Sequence, residues 1–440
     1  MHIIILAAGR GTRMKSNLPK VLHPLAGLSL LGHVIKTAKS LSPETICVVM
    51  SPELLNEPKI QKDNRFLKAI QETPLGTGHA ALQGLKALKL TSFDEPVLIL
   101  NGDVPLLKAS TLLSMRQEFL KTPKAILVGA FETLTPYGYG RCVLEGSQKL
   151  LKIVEENDAT PKEKSLTLCN SGVIMAPFGL LKDCLEKLEP QNAQHELYLT
   201  DIIELSWQTG FSRTFLLDYE QLLGVNTQKD LSLANSLFQE KMREDALNKG
   251  AILQDPKTVY FSHDTVVESG VLIEPFVYFG EKVHIKAGAI VKGFSHVENS
   301  VLYEKSVIGP FARLRNGCEI KEKAEVGNFV EVKNTTFEEG AKAKHLSYLG
   351  DAHLEKKVNV GAGTITCNYD GVKKSKTLIR EGTFVGSNST LIAPLTIEKE
   401  AYIAAGSVIT DNIPSETLAI ARSRQVHKNN WVQKKKGEQK

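Results

Sequence analysis

No apolar run in this 440-residue sequence approaches the roughly 20 residues that a membrane-spanning helix requires. The first such run, Ile3 to Ala8, is too short for the core of a secretion signal and has no basic segment before it. The chain is therefore expected to reside in the cytoplasm, with no membrane partner. Aromatic residues are sparse, at 6%, and cysteines are few: Cys47, Cys142, Cys169, Cys184, Cys318 and Cys367 lie far apart, with no C-x-x-C pair and no metal-ligand spacing. This pattern fits reduced thiols in a reducing compartment better than a disulfide frame or a zinc site. Most of the chain also lacks an excess of either charge. The formal net charge is +5, but residues 422–440 carry seven basic groups, from Arg422 and Arg424 to Lys440, against the single acid Glu438. That segment alone is +6, which leaves −1 for everything before it. A nucleic-acid-binding face is not supported. The tail is either a solvated end, whose last ten residues are expected to lack regular structure, or a site for a phosphorylated cofactor.

What is present suggests two or three domains. In the first half, apolar runs at Ile3–Ala8, Ile46–Met50, Val97–Leu100 and Ala125–Phe131 alternate with stretches long enough for crossover helices, which predicts a mostly parallel sheet covered by helices. Ligands in such a sheet sit beyond the carboxyl ends of its strands. Residues 227–250 then show Leu231, Ala234, Phe238 and Met242 at the spacing of one helix face, with Thr227 and Asp230 as a capping box and Gly250 as a stop. This predicts a connecting helix.

The second half carries a six-residue repeat. Branched or aromatic apolar residues recur at Val267, Ile273, Phe279, Ile285, Val291 and Val297; after a one-residue slip they continue at Leu302, Ile308, Leu314, Ile320, Val326 and Val332. A third phase holds Ile379, Val385, Leu391, Ile397, Ile403 and Ile409, and small residues often follow the apolar one. Such a beat predicts a parallel β-helix of hexapeptide repeats, with three hexads closing a coil of about 18 residues. Residues 258–411 then make roughly eight coils. The beat fails between residues 337 and 354, which predicts a loop leaving the stack.

The first apolar run leads into Leu6-Ala7-Ala8-Gly9-Arg10-Gly11-Thr12-Arg13-Met14, with Pro19-Lys20 close behind. Glycines after a strand let backbone N–H groups close on phosphate oxygens, and Arg13 and Lys20 add positive charge. The loop is neither a dinucleotide fingerprint, since Met14 stands at the third glycine position, nor a Walker loop, since no G-K-[ST] follows. The string resembles that of the sugar-1-phosphate nucleotidyltransferases. The resemblance continues through Gln71, Leu75-Gly76-Thr77-Gly78-His79, Gly102-Asp103-Val104-Pro105-Leu106, Tyr139-Gly140-Arg141, Glu155, Asn170-Ser171-Gly172 and Gly224-Val225-Asn226. Nearly the whole chain resembles the bacterial bifunctional N-acetylglucosamine-1-phosphate uridyltransferase/glucosamine-1-phosphate acetyltransferase family.

That resemblance implies an α/β nucleotidyltransferase domain, Rossmann-like with a mostly parallel sheet, over residues 1–226. It is joined by a long helix, residues 227–250, to a left-handed parallel β-helix acetyltransferase domain over 251–421, with a basic tail at 422–440. In the first domain Arg13 and Lys20 are implied phosphate clamps, and Asp103 and Asn226 the implied ligands of Mg²⁺. UTP and the sugar nucleotide would contact Leu6, Ala7, Ala8, Gly9, Lys20, Gln71, Gly76, Thr77, Asn101, Gly102, Asp103, Gly140, Glu155, Asn170, Thr200 and Asn226. Asn101 departs from the family, which often has an aromatic there.

The second half holds Pro310-Phe311-Ala312-Arg313-Leu314-Arg315, Gly327-Asn328-Phe329-Val330-Glu331-Val332-Lys333, His345-Leu346-Ser347-Tyr348, Asn359-Val360-Gly361-Ala362-Gly363 and Thr366-Cys367-Asn368-Tyr369-Asp370, then Lys376. Resemblance to the acetyltransferase half implies acetyl-CoA as donor and glucosamine 1-phosphate as acceptor. Amine attack on a thioester needs a base near neutral pH, which suits imidazole, and His345 is the implied base, with Glu331 orienting it. Arg313, Lys333, Tyr348, Asn359 and Lys376 would bind glucosamine 1-phosphate; Ala362, Asn368, Tyr369, Ser387, Ala405 and Arg422 would contact acetyl-CoA. Two positions depart from the family: Lys344, where glycine is usual, and Asn316, where proline is usual. Lys344 would either stiffen its loop or lower the basicity of His345.

The implied activity is acetylation of glucosamine 1-phosphate followed by uridylyl transfer from UTP with release of pyrophosphate, feeding cell-wall and other amino-sugar polymers. The implied assembly is a homotrimer. The alternative is a sugar-1-phosphate nucleotidyltransferase whose β-helix serves only as a trimerisation or regulatory scaffold.

Overall fold

The computed structural model describes residues 1–146, 149–207 and 210–438. The chain divides into units Met1–Phe238 and Gln239–Lys440. Among the described residues, no helix is long and apolar enough to cross a membrane.

Among the described residues, nine strands make the sheet of the first unit: β1 (His2–Ala7), β2 (Thr45–Met50), β3 (Leu67–Ile70), β4 (Pro96–Asn101), β5 (Ile126–Glu132), β6 (Arg141–Glu145), β7 (Lys149–Val154), β8 (Leu168–Pro177) and β9 (Ser212–Leu216). Their order is β3-β2-β1-β4-β8-β5-β9-β7-β6. The four apolar runs fall on β1, β2, β4 and β5. Ile3, Ile4 and Ile5 of β1 are all buried because helices cover both faces. Ile3 and Ile5 pack with Val34 of helix α1 (Leu30–Ser40), and Ile4 packs with Ala81 and Leu85 of helix α2 (Thr77–Leu88). Each such side chain contributes about 1.5–3 kcal/mol.

The expected mostly parallel sheet is corrected to a mixed one. Pairs β3/β2, β2/β1, β1/β4 and β5/β9 are parallel, whereas β4/β8, β8/β5, β9/β7 and β7/β6 are antiparallel. The ten-residue β8 inserts between β4 and β5, so the parallel half that carries the glycine loop stops at β4.

Helix α3, Gln228–Asn248, contains the division between the two units. Its expected capping box forms: the Asp230 carboxylate accepts from the backbone N–H of Thr227 at 2.8 Å and of Asn226 at 3.1 Å, and Asp230 N–H donates to Thr227 Oγ1 at 3.2 Å. Orphan donors at the helix start are thereby satisfied, and Asn226 is fixed in place.

The second unit stacks short parallel strands into three sheets of ten, eight and eight strands. In coil order these are face 1 (Ile252–Leu253 to Leu418–Ala419), face 3 (Tyr278–Phe279 to Val408–Ile409) and face 2 (Val266–Val267 to Leu395–Ile397). The apolar hexad residues all point inward and form one continuous core. Face 1 holds more strands than the roughly eight coils expected, because Ile252–Leu253 and Leu418–Ala419 extend it beyond both ends of the repeat.

Residues 337–354 do not leave the stack. Lys342–His345 lies on face 1, Tyr348–Gly350 on face 3 and Ala352–Leu354 on face 2. Val326 pairs with Ala343 and Val332 with Leu349, 17 residues on in each case. The beat was obscured because this coil is one residue short and its first core position holds alanine. The excursion comes later, between Cys367 and Thr377, where Thr366 pairs with Leu391, 25 residues on.

One corner is lined by aromatic residues. Where faces 1 and 3 meet, Phe276, Phe294, Phe311 and Phe329 adopt positive φ of 53–60°. Their rings stack at centroid distances of 4.9–5.1 Å, a ladder that offsets the cost of the left-handed backbone. Asn316 sits at another corner with φ 61°, a conformation proline cannot adopt. In the tail, residues expected to lack regular structure include a short helix, Trp431–Gly437; Gln439 and Lys440 lie outside the described residues.

All six cysteines are free. Burial pushes the Cys47 and Cys142 thiols up to about 12, so neither is a nucleophile at neutral pH.

Candidate functional site

The first site forms where β1 and β4 end side by side, Leu6 opposite Asn101. Gly102 N–H donates to Leu6 O at 2.8 Å, which turns the chain so that Asp103 follows directly. Ala7, Ala8 and Gly9 carry β1 into the glycine loop. At Gly11, with φ 64°, a Cβ would overlap the Lys20 side chain, so glycine is what lets Lys20 approach.

Lys20 Nζ pairs with the Asp103 carboxylate and donates to Asn226 Oδ1 at 3.1 Å. Arg13 donates to the same Asn226 oxygen at 3.0 Å. Asn226 is held by the α3 cap and by its neighbour Val225, whose N–H donates to Asp103 O at 3.0 Å. One ammonium thus already contacts both oxygen donors expected to ligate Mg²⁺. The donor set, a carboxylate and an amide oxygen, fits a hard divalent cation.

A cavity of about 260 Å³ opens beside this cluster, lined by Leu6, Thr77, Asn101, Asp103, Gly140, Glu155, Asn170, Thr200 and Asn226 from the expected set. Tyr139, Ser171, Gly172 and Leu222 also line it, although no role was assigned to them from the sequence. Gln71 and Gly76 are not in the lining; the Gln71 amide donates to Gly76 O at 3.0 Å, next to Thr77. Asn101, the departure from the family, lies against Gly172.

Glu155 and Thr200 line the cavity, and further carboxyl groups lie near them outside the lining. Burial raises the Glu155 carboxyl above its ordinary value, partly offset by the Thr200 hydroxyl, which donates to it at 3.1 Å. Burial, with Glu204, Glu155 and Asp158 nearby, pushes Asp201 up to about 6 from 3.8. A carboxyl whose pKa is higher in the folded state binds its proton more tightly there, so stability falls as pH rises from about 4 to 6 and stays reduced above that. Asp201→Asn is therefore expected to raise the melting temperature at pH 7.5 by about 2–4 °C, near 1 kcal/mol, with little change at pH 4. Equal shifts at both pH values in a thermal melt would refute this.

The second site lies on the coil stack. His345 ends its face 1 strand and is exposed; its Nδ1 is 2.8 Å from Asn328 Oδ1, on the strand below. Immediately above, a cleft of about 490 Å³ is lined by Leu346, Ala362, Gly363, Ser387, Asn388, Ala405, Gly406 and Arg422. Four of these were expected to contact acetyl-CoA: Ala362, Ser387, Ala405 and Arg422. Arg422 is anchored by donation to Ala405 O at 2.7 Å.

Several expectations change. Glu331, expected to orient His345, is not hydrogen-bonded to it in this chain: it lies on face 3, and its carboxylate accepts from Arg315 at 2.7 and 2.8 Å. The side-chain partner of His345 is Asn328. Lys344 directs its ammonium to Glu325 at 2.8 Å, alongside Lys342 at 3.0 Å, so its charge is paired. A Cβ at Gly327 would overlap the Lys344 carbonyl, so the backbone of this departure is accommodated by the glycine beneath it.

Asn368 and Tyr369 do not line the cleft. They begin the excursion at the corner between faces 3 and 2, with Lys376 at its end. There Asp351 gathers Lys333 at 3.3 Å, Asn334 at 2.6 Å and the Asn368 amide. Arg313, Lys333 and Tyr348 lie on the side of face 3 opposite the core-facing Leu314, Val332 and Leu349, with Lys333 itself buried beside Asp351, while Asn359 lies on face 1. Asp351 and Asn328 are the residues sequence reasoning missed. The signal for both was position, one coil away from Asn368 and His345, and it becomes readable only when the coil length is known.

A glycine loop and a paired Asp–Lys–Asn cluster at parallel strand ends define a nucleotidyltransferase-class domain, and the stacked-coil unit carries its own site, an exposed histidine beside a cleft. Residues 3–195 match the MobA-like NTP transferase domain. The chain is 44% identical over 436 residues to the bifunctional protein GlmU of Zymomonas mobilis, covering 98% of this chain and 96% of that protein. It is 44% identical to GlmU of Paramagnetospirillum magneticum (100% and 97% covered) and 42% identical to GlmU of Bartonella quintana (98% and 96% covered). Among solved structures, a UDP-glucose pyrophosphorylase complexed with UDP-glucose matches 55% of this chain and 98% of its own, at 18% identity and a TM-score of 0.44. The chain belongs to the GlmU family of bifunctional proteins.

Proposed function

We propose that this chain builds UDP-N-acetylglucosamine in two steps at its two sites. At the coil stack, glucosamine 1-phosphate is acetylated by acetyl-CoA; in the α/β unit, N-acetylglucosamine 1-phosphate takes uridylyl from UTP and pyrophosphate leaves. The observation that carries the reading is that each unit holds its own constellation, Arg13–Lys20–Asp103–Asn226 in one and His345 beneath an open cleft in the other. A mere scaffold has no need of the second.

In uridylyl transfer a sugar-phosphate oxygen attacks the α-phosphorus and the bond to pyrophosphate breaks, so positive charge must meet both the bridging oxygens and the leaving group. Arg13 and Lys20 supply it. Asp103 and Asn226 would hold Mg²⁺, which contributes further charge when bound. Thr77 and Asn101 would contact the nucleotide, and Gly140, Glu155, Asn170 and Thr200 would surround the sugar; that all six line one cavity supports this. In acetyl transfer His345 takes the proton as the amine attacks the thioester carbonyl, and the C–S bond breaks to release CoA. Arg313, Lys333, Tyr348, Asn359 and Lys376 bind the sugar phosphate.

The acetyl-CoA residues fall on two corners of the stack separated by face 3: Ala362, Ser387, Ala405 and Arg422 at one, Asn368 and Tyr369 at the other. Their separation on one copy supports a site shared between copies, in a homotrimer of left-handed coils. Functional domains 1–226 and 251–421 are joined by the helix over 227–250 and followed by the basic tail at 422–440, in a cytoplasmic enzyme.

Separate assays test the division. Chelation with EDTA is expected to abolish pyrophosphate release from UTP and N-acetylglucosamine 1-phosphate while leaving thiol release from acetyl-CoA and glucosamine 1-phosphate unchanged. Undiminished pyrophosphate release in EDTA, or no thiol release from the untreated protein, would sink the reading.

A further inference from the structure

We propose that Asn328 is a positioning residue for acetyl transfer, acting through His345 by fixing its tautomer without adding charge. This rests on His345 being the base. Asn328 and His345 are register partners on adjacent face 1 strands, and Leu346 N–H donates to Asn328 O at 3.0 Å, so the two side chains are held one rung apart by the backbone. The Asn328 Oδ1 to His345 Nδ1 separation is 2.8 Å.

An imidazole whose Nδ1 is occupied by a neighbour can act as a base only through Nε2. Its lone pair is available there only if Nδ1 carries the proton, and a protonated Nδ1 requires an acceptor opposite it. The amide oxygen of Asn328 is that acceptor. As the amine forms its bond to the acetyl carbon and the C–S bond breaks, the amine proton passes to Nε2 while Nδ1–H stays on Asn328.

The choice of amide over carboxylate has a consequence. A carboxylate in this place favours imidazolium and raises the pH at which the base becomes neutral. The nearby carboxylates are already committed: Glu325 to Lys342 and Lys344, and Glu331 to Arg315. The neutral acceptor thus places the proton on Nδ1 and leaves Nε2 open without setting a further charge beside the ring.

The test compares wild type, Asn328→Ala, Asn328→Asp and His345→Ala by thiol release from acetyl-CoA with glucosamine 1-phosphate across pH 5.5–9, with circular dichroism as a check on folding. Asn328→Ala is expected to lower kcat about 10- to 100-fold with KM little changed. Asn328→Asp keeps the acceptor and is expected to recover most of that loss at high pH, while its acidic limb moves up by about one unit or more. Wild-type kcat and pH profile in both Asn328 variants, beside an inactive His345→Ala, would overturn the positioning role and leave the base intact. A folded Asn328→Asp no better than Asn328→Ala at any pH would also overturn it. An active His345→Ala would instead overturn the assignment on which the proposal stands.

Discussion

Asp103→Ala is expected to lower uridylyl transfer at least about a thousandfold while leaving thiol release from acetyl-CoA at the wild-type rate. Asp103 does two jobs at the strand end. Its carboxylate is one of the two oxygen donors that converge on the Lys20 ammonium, and it holds that ammonium in the place proposed for the phosphates. Removing it leaves Asn226, a neutral amide, as the remaining donor. The Mg²⁺ proposed to be held there would supply several kcal/mol of transition-state stabilisation and would be lost with its charged ligand, and each 1.36 kcal/mol is tenfold in rate. The second site has its own residues on another unit, so thiol release serves as an internal measure of protein quality. Pyrophosphate release within tenfold of wild type at saturating Mg²⁺ would refute the role given to Asp103.

The mirror experiment targets the coil stack. His345→Ala is expected to reduce thiol release about 10²- to 10⁴-fold, the range general-base catalysis supplies, with uridylyl transfer from supplied N-acetylglucosamine 1-phosphate intact. His345 is exposed, and its backbone carbonyl is held by the Ser347 hydroxyl at 2.9 Å, so truncating the ring leaves the coil's hydrogen bonds in place. Thiol release that survives at more than a tenth of the wild-type rate would place the base elsewhere. Paired, the two variants form a double dissociation that no single-activity protein reproduces.

Legibility differed between the two halves for physical reasons. The hexad beat reports burial directly, since each inward position of a coil must be apolar; the stack was readable wherever its residues were branched or aromatic. It became unreadable where Ala343 filled a core position and the coil shortened by one residue, which is why His345 was expected on a loop and is found at a strand end. In the α/β unit the buried strands β1, β2, β4 and β5 announced themselves as apolar runs. The antiparallel insertion of β8 did not, because pairing direction leaves no mark on composition.

Motif residues at strand ends were legible because a glycine loop, a carboxylate and a helix cap each have local requirements. The sequence by itself determined the two architectures, the Thr227–Asp230 cap and the chemical groups available at each site. Only the tertiary structure decided partners: Lys20 with Asp103 and Asn226, Glu331 with Arg315, Asn368 with Asp351, and Asn328 with His345. Local sequence specifies backbone conformation and burial, whereas a hydrogen bond between residues 17 or 206 apart depends on how many residues each coil or crossover consumes.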